Sequence, residues 1–161
     1  MALTIGTDAY TSLADVRTYW AARGDTLWAG LVDADAEVFI RLATDYVDRG
    51  WTFIGDKATG AQRLKWPRKF AEVEGFDLSD AEIPWQVAEA TAIMADVFRL
   101  GTFDTEGVVT NDAAAISMQK VDVITVQYDT SKRLQGKAVM SHVYELLRPV
   151  TRSTSGGLLR A

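Results

Sequence analysis

The 161-residue chain contains no cysteine. Disulfides, thiol nucleophiles, zinc thiolates and iron–sulfur ligation are therefore excluded, and the redox compartment is left open. Histidine occurs once, as His142. It lies within a helical pattern beside Ser141 and has no strand-to-helix elbow, so it reads as a surface or packed histidine rather than a triad member. No Gly-x-x-x-x-Gly-Lys or Gly-x-Gly-x-x-Gly segment is present, so a phosphate cradle has no support. Asp33, Asp35 and Glu37 begin like a calcium loop, but Val38 stands where that loop needs glycine and Thr44 where it needs a bidentate glutamate. Their better reading is favourable negative charge at a helix N-terminus. No stretch reaches the roughly 18 apolar residues of a membrane span, and residues 1–8 lack a basic region and a long apolar run. The expectation is a soluble protein without an export signal, with no membrane partner, no metal, no cofactor and no enzymatic activity.

What is present is 48% hydrophobic content, enough for one domain that buries roughly 70% of its unfolded surface. Charge is unevenly placed. Residues 1–130 carry 11 Lys/Arg against 21 Asp/Glu, whereas residues 131–161 carry six against one, so a body of net −10 ends in a segment of net +5. The overall −5 argues against a dedicated nucleic-acid binder, which displays a clustered basic face.

Ser12 stands before Leu13, Val16 and Trp20, with Asp15 completing a capping pattern and Gly24 as a stop, which predicts a helix over about 13–23. Asp33 is positioned to cap a second helix in which Phe39, Leu42, Ala43, Tyr46 and Val47 share a face, with Glu37, Arg41 and Asp45 opposite and Gly50 at its end. Residues 51–82 show no sustained period and read as a long connection with a short hairpin through Trp51-Thr52-Phe53 and Leu64-Lys65-Trp66. Ile83-Pro84 opens a weakly polar helix from Trp85 to Leu100, with Val87, Thr91, Met94 and Phe98 as one stripe. It is expected either at the centre of the domain or against a neighbouring subunit. Gly101 to Asp112 reads as loop. Ile116 to Tyr128 alternates but changes phase after Val123, which suggests a bulge or a strand covered on both faces. A last helix over about 137–148 places Val139, Val143, Leu146 and Leu147 on one side before Arg148-Pro149 ends it. The expected fold is mainly α: a bundle of about four helices with a small β element over residues 1–150, and an extended, flexible C-terminal tail over 151–161.

Aromatic and basic residues mix in Arg63-Leu64-Lys65-Trp66-Pro67-Arg68-Lys69-Phe70. Exposed, these would stack on bases and track phosphates of a single strand. The favoured reading is that Trp66 packs into the core, Pro67 fixes the chain direction, and the cations are solvated or paired with the acidic body. For Ser153 to Ala161, the residues alone favour a frayed end.

Several segments together carry a resemblance: Thr11-Ser12-Leu13-Ala14-Asp15, Ala43-Thr44-Asp45-Tyr46-Val47-Asp48, Leu64-Lys65-Trp66-Pro67-Arg68, Ile83-Pro84-Trp85-Gln86-Val87-Ala88-Glu89-Ala90, Lys120 to Tyr128, Leu146-Leu147-Arg148-Pro149 and the Gly-Gly-Leu-Leu-Arg ending. In this order they resemble the small head-to-tail adaptor (head-completion, connector) proteins of tailed bacteriophages. Some relatives of those adaptors are filed as DnaT-like single-stranded DNA-binding proteins. Nearly the whole chain takes part, although residues 101–115 match no element of that family.

The resemblance implies a ring, usually of twelve copies, beneath the portal protein in the virion neck, assembled in the host cytoplasm and joined to a downstream neck or tail protein. Packaged DNA would pass through without specific binding, and acidic charge on the channel wall would keep it from adhering. The tail would extend onto the portal by strand addition. Leu158 and Leu159 are then the candidate pocket contacts and Arg160, next to Ala161, the polar one, with Gly156 and Gly157 as the hinge. Trp66, Pro67, Arg68 and Trp85 are structural or interface candidates. The alternatives are a single-stranded DNA-binding replication accessory and another neck protein such as a stopper or tail terminator.

Overall fold

The computed structural model describes residues 2–101, 118–121, 124–127 and 131–152, with backbone only for 118–138. The predicted Gly101–Asp112 loop, apart from Gly101, and the tail residues Gly156, Gly157, Leu158, Leu159, Arg160 and Ala161 lie outside the described residues. The fold is mainly α. Helices α1 (Leu13–Ala21), α3 (Asp33–Gly50), α4 (Trp85–Arg99) and α5 (Ser131–Leu147) are joined by the single-turn α2 (Leu27–Gly30) and three two-stranded antiparallel pairs. These pairs are β1 (Asp56–Lys57) with β2 (Arg68–Lys69), β3 (Glu72–Val73) with β4 (Phe76–Asp77), and β5 (Met118–Val121) with β6 (Ile124–Gln127).

Helix α1 starts as its sequence requires. The Ser12 hydroxyl accepts the Asp15 N–H at 3.1 Å and donates to the Asp15 carboxylate at 2.6 Å. Helix α3 starts differently from expectation. Its N-cap is Val32, in extended geometry, because the Asp33 carboxylate is taken by the Arg17 guanidinium at 2.8 Å. Arg17 also donates to the carbonyls of Trp28 and Leu31, tying α1 to α2 and to the entry of α3. The buried stripe of α3 is Ala36, Ile40, Ala43, Thr44 and Val47, while Leu42 is exposed and Phe39 and Tyr46 are half-buried. Two apolar stripes overlap on this helix, and the one with alanines wins because small side chains let α4 approach closely.

Helix α4 is the centre of the molecule. Gln86, Val87, Ala90, Thr91, Ala92, Ile93, Met94, Ala95 and Val97 are all buried on it, with α1, α3 and α5 packed around. Pro84 is its N-cap and Trp85 its first helical residue. Trp20 donates to the Ala92 carbonyl at 3.2 Å, and Trp28 donates to the Asp96 carboxylate at 2.8 Å, which Arg99 also grips at 2.7 Å. From α5, Val143 and Leu147 are fully buried and Val139 and Leu146 half-buried. Each fully buried large apolar side chain contributes about 1.5–3 kcal/mol.

Three further expectations are corrected. The hairpin does not run through Trp51–Phe53 and Leu64–Trp66; pairing falls instead at Asp56–Lys57 with Arg68–Lys69, because Phe53 and Trp66 turn inward and meet ring to ring at 5.7 Å. The phase change after Val123 marks neither a bulge nor one doubly covered strand but two strands, paired Val121 to Ile124 and Met118 to Gln127. Helix α5 begins at Ser131, six residues earlier than its apolar stripe predicted, since a single interior glycine such as Gly136 costs only about 1 kcal/mol.

The described chain returns to the core at its end. A 3-10 turn over Arg148–Val150 follows α5, Ile54 donates to the Val150 carbonyl, Thr151 bridges Phe53, and Arg152 donates to the Thr52 carbonyl at 2.8 Å. Opposite lies Gly55, with φ at +69 and a site where an added Cβ would stand 2.4 Å from the Lys69 carbonyl oxygen. Gly55→Ala is therefore expected to cost at least about 2 kcal/mol, seen as a lowered midpoint in urea unfolding.

Candidate functional site

The Trp66-Pro67-Arg68 turn is built into the body. Trp66 is fully buried, its peptide bond to Pro67 is cis, and its indole N–H finds no partner among the described residues. Arg68 donates from Nε to the Ile54 carbonyl at 2.6 Å, from Nη2 to the Gly55 carbonyl at 2.6 Å, and from Nη1 to the Lys65 carbonyl at 3.2 Å. Lys65 donates to the Trp51 carbonyl at 2.8 Å. Gln62 spans the carbonyls of Leu64 and Pro67, each at 2.9 Å. The long connection thus has few helical or ladder bonds, and its own polar side chains satisfy its carbonyls.

Asp48, near the end of α3, fastens this connection to the helices. It accepts the Lys65 backbone N–H at 2.7 Å and the Tyr10 hydroxyl. Burial first, and then the Asp48 carboxylate, push the Tyr10 phenol well above its ordinary pKa, so it stays a protonated donor. Burial, with the Arg152 guanidinium alongside, pulls Arg68 below its ordinary value, while Asp56 opposes that shift.

What the turn leaves outward is different in character. Phe70 is 83% exposed and its φ is +54. A bulky residue in the left-handed region is an outlier costing about 1–3 kcal/mol, and here the strained backbone holds an aromatic ring in solvent. Phe76, on β4, is 75% exposed. It closes a turn in which Glu74 (φ +54) and Gly75 (φ +85) both take the positive φ that a two-residue hairpin needs. Trp85 is 61% exposed at the start of α4. The exposed charges neighbouring the two phenylalanines in sequence are mixed: Arg63 and Lys69 precede Phe70, and Glu72, Glu74 and Asp77 lie on the hairpin that carries Phe76.

Of the sequence candidates, then, Trp66 and Arg68 lie inside the fold, Pro67 is half-buried beside them, and Trp85 stands apart on the surface. His142 is exposed on α5. No group of three metal-ligating side chains occurs among the described residues, and no described helix is long and apolar enough to cross a membrane. In the sequence Phe70 stands out only as part of the mixed aromatic and basic run, and Phe76 not at all; the one signal for Phe76 is the Glu74-Gly75 turn, which sets it on the short strand β4.

Arg68→Lys is expected to lose about 1–3 kcal/mol, because an ammonium cannot reach three carbonyls spread over one guanidinium plane; urea unfolding measures it.

No curated protein and no solved structure matches the chain. One family model does, across residues 2–161. By that match over nearly its whole length, the chain belongs to the family described as "Putative DnaT-like ssDNA binding protein".

Proposed function

We propose that the protein is a structural subunit of a tailed-phage neck, forming a ring under the portal protein that connects the DNA-filled head to the tail. The observation that carries this reading is Phe70: a strained backbone presenting an exposed aromatic ring, with a second exposed ring at Phe76 and carboxylates nearby. Aromatic side chains are enriched at the centres of protein interfaces. The resemblance of the Trp66-Pro67-Arg68, Ile83-Pro84 and Leu146-Leu147-Arg148-Pro149 segments to head-to-tail adaptors supplies the class of partner. Net −10 over residues 1–130 suits a wall that DNA slides past.

The family description favours a second reading, single-stranded DNA binding, for which the exposed Arg63 and Lys69 precede the exposed Phe70 in the chain. Against it, Trp66 is shielded from any base and Arg68 is spent on backbone carbonyls, so little of a stacking platform with a basic track remains.

Purified protein mixed with portal rings is expected to form a second ring in negative-stain micrographs, and removal of residues 153–161 to abolish docking while the far-ultraviolet dichroism is retained. Docking by the shortened chain would remove the tail from the proposal. Titration with an oligodeoxynucleotide is expected to leave tryptophan fluorescence unchanged at physiological salt. Quenching that weakens steeply with added salt would favour the DNA-binding reading instead. Phe70→Gly is expected to raise stability by about 1 kcal/mol through relief of strain, read as a higher urea midpoint, while ring formation is lost.

A further inference from the structure

A groove of about 580 Å³ opens between the N-terminal turn, the start of α1 and the segment entering α4. Ile5, Pro67, Ile83 and Ala88 give it apolar walls, and Asp15 and Glu82 line it as exposed carboxylates. Asp15 commits one oxygen to the Ser12 hydroxyl at 2.6 Å, which leaves the other available. Among the described residues, no lysine or arginine lines this groove. It therefore fits a short apolar segment followed by a cation.

Two leucines followed by arginine occur twice in the chain. At Leu146-Leu147-Arg148 the second leucine is fully buried in the core, so that copy is not free to bind. The other is Leu158-Leu159-Arg160, beyond the last described residue. That residue, Arg152, shares an acceptor with the residue that follows the groove's Pro67: its guanidinium donates to the Gly55 carbonyl at 3.0 Å, the same oxygen that Arg68 takes at 2.6 Å. From residue 153 to Leu158 the chain extends up to about 20 Å, and Gly156-Gly157 lets it turn sharply.

We propose that this groove holds the chain's own Leu158-Leu159-Arg160, with the leucines against Ile5, Pro67 and Ile83 and the Arg160 guanidinium between Asp15 and Glu82. A short tether supplies an effective concentration on the order of millimolar, so even a weak site fills from its own chain before another copy's tail competes. The tail is thereby stored on the body until a stronger partner draws it out. This holds whether or not that partner is a portal, so the inference does not rest on the neck reading.

The absence of cysteine makes the test direct. In the full-length protein, Ala81→Cys with Leu159→Cys places one thiol in the groove wall and one in the tail; Val38→Cys, on the exposed face of α3, with Leu159→Cys is the control. The groove pair is expected to close under mild oxidant at least about tenfold faster than the control, as a monomer and independently of protein concentration. Arg160→Glu is expected to slow closure about threefold, and Glu82→Lys added to it to restore the rate. Equal rates for groove and control pairs would overturn the proposal. So would predominant disulfide-linked dimers, which would mean the groove takes a second copy's tail, or closure indifferent to the Arg160 charge.

Discussion

Burial of α4 is the constraint on which the other elements depend. Its apolar positions are not confined to one stripe: Val87, Ala90, Met94 and Val97 are buried together with Ala92, Ile93 and Ala95 from other sides of the helix. Such a helix is stable only when enclosed, so α1, α3 and α5 are recruited around it. The recruitment is polar as well as apolar. Trp20 and Trp28 reach α4 with their indole N–H groups, one at a backbone carbonyl and one at Asp96, which fixes the register of α1 and α2 along the central helix more tightly than apolar contact alone would. Thr44 does similar work on α3, accepting the Tyr10 backbone N–H at 3.3 Å while donating to the Ile40 carbonyl.

The second organising feature is the long connection between α3 and α4. With no helix and only two-residue strands, it holds its shape through side chains that bond to main-chain carbonyls, above all Arg68, Lys65 and Gln62. Lys65 and Arg68, which could have served a polyanion, are thereby consumed in architecture. What the connection offers outward is Phe70 and Phe76, and the backbone strain at Phe70 shows that this presentation is maintained against a local penalty.

Much of the helical framework was legible in the sequence because it rests on local rules. The Ser12–Asp15 cap, Pro84 ahead of α4 and the Val143–Leu147 stripe of α5 all depend on residues within a turn or two of each other. Features that failed depend on distant partners. Asp33 reads as a cap until Arg17 claims it, and Leu42 reads as core until the alanine stripe of α3 meets α4. Within the candidate site, inward packing of Trp66 was legible from its place beside Pro67. The fan of Arg68 was not, because its acceptors at Ile54 and Gly55 lie across a hairpin whose register no short pattern specifies.

The bonding of residues 150–152 to residues 52–54 has a mechanical side. Any pull on the chain beyond Arg152 is applied first to the backbone bonds at Thr52 and Ile54, and through the bridge at Phe53 to the ring contact with Trp66. Residues 150–152 are thus wired to the interior, so tension applied to the chain beyond them is spread into the packed core instead of ending at the surface.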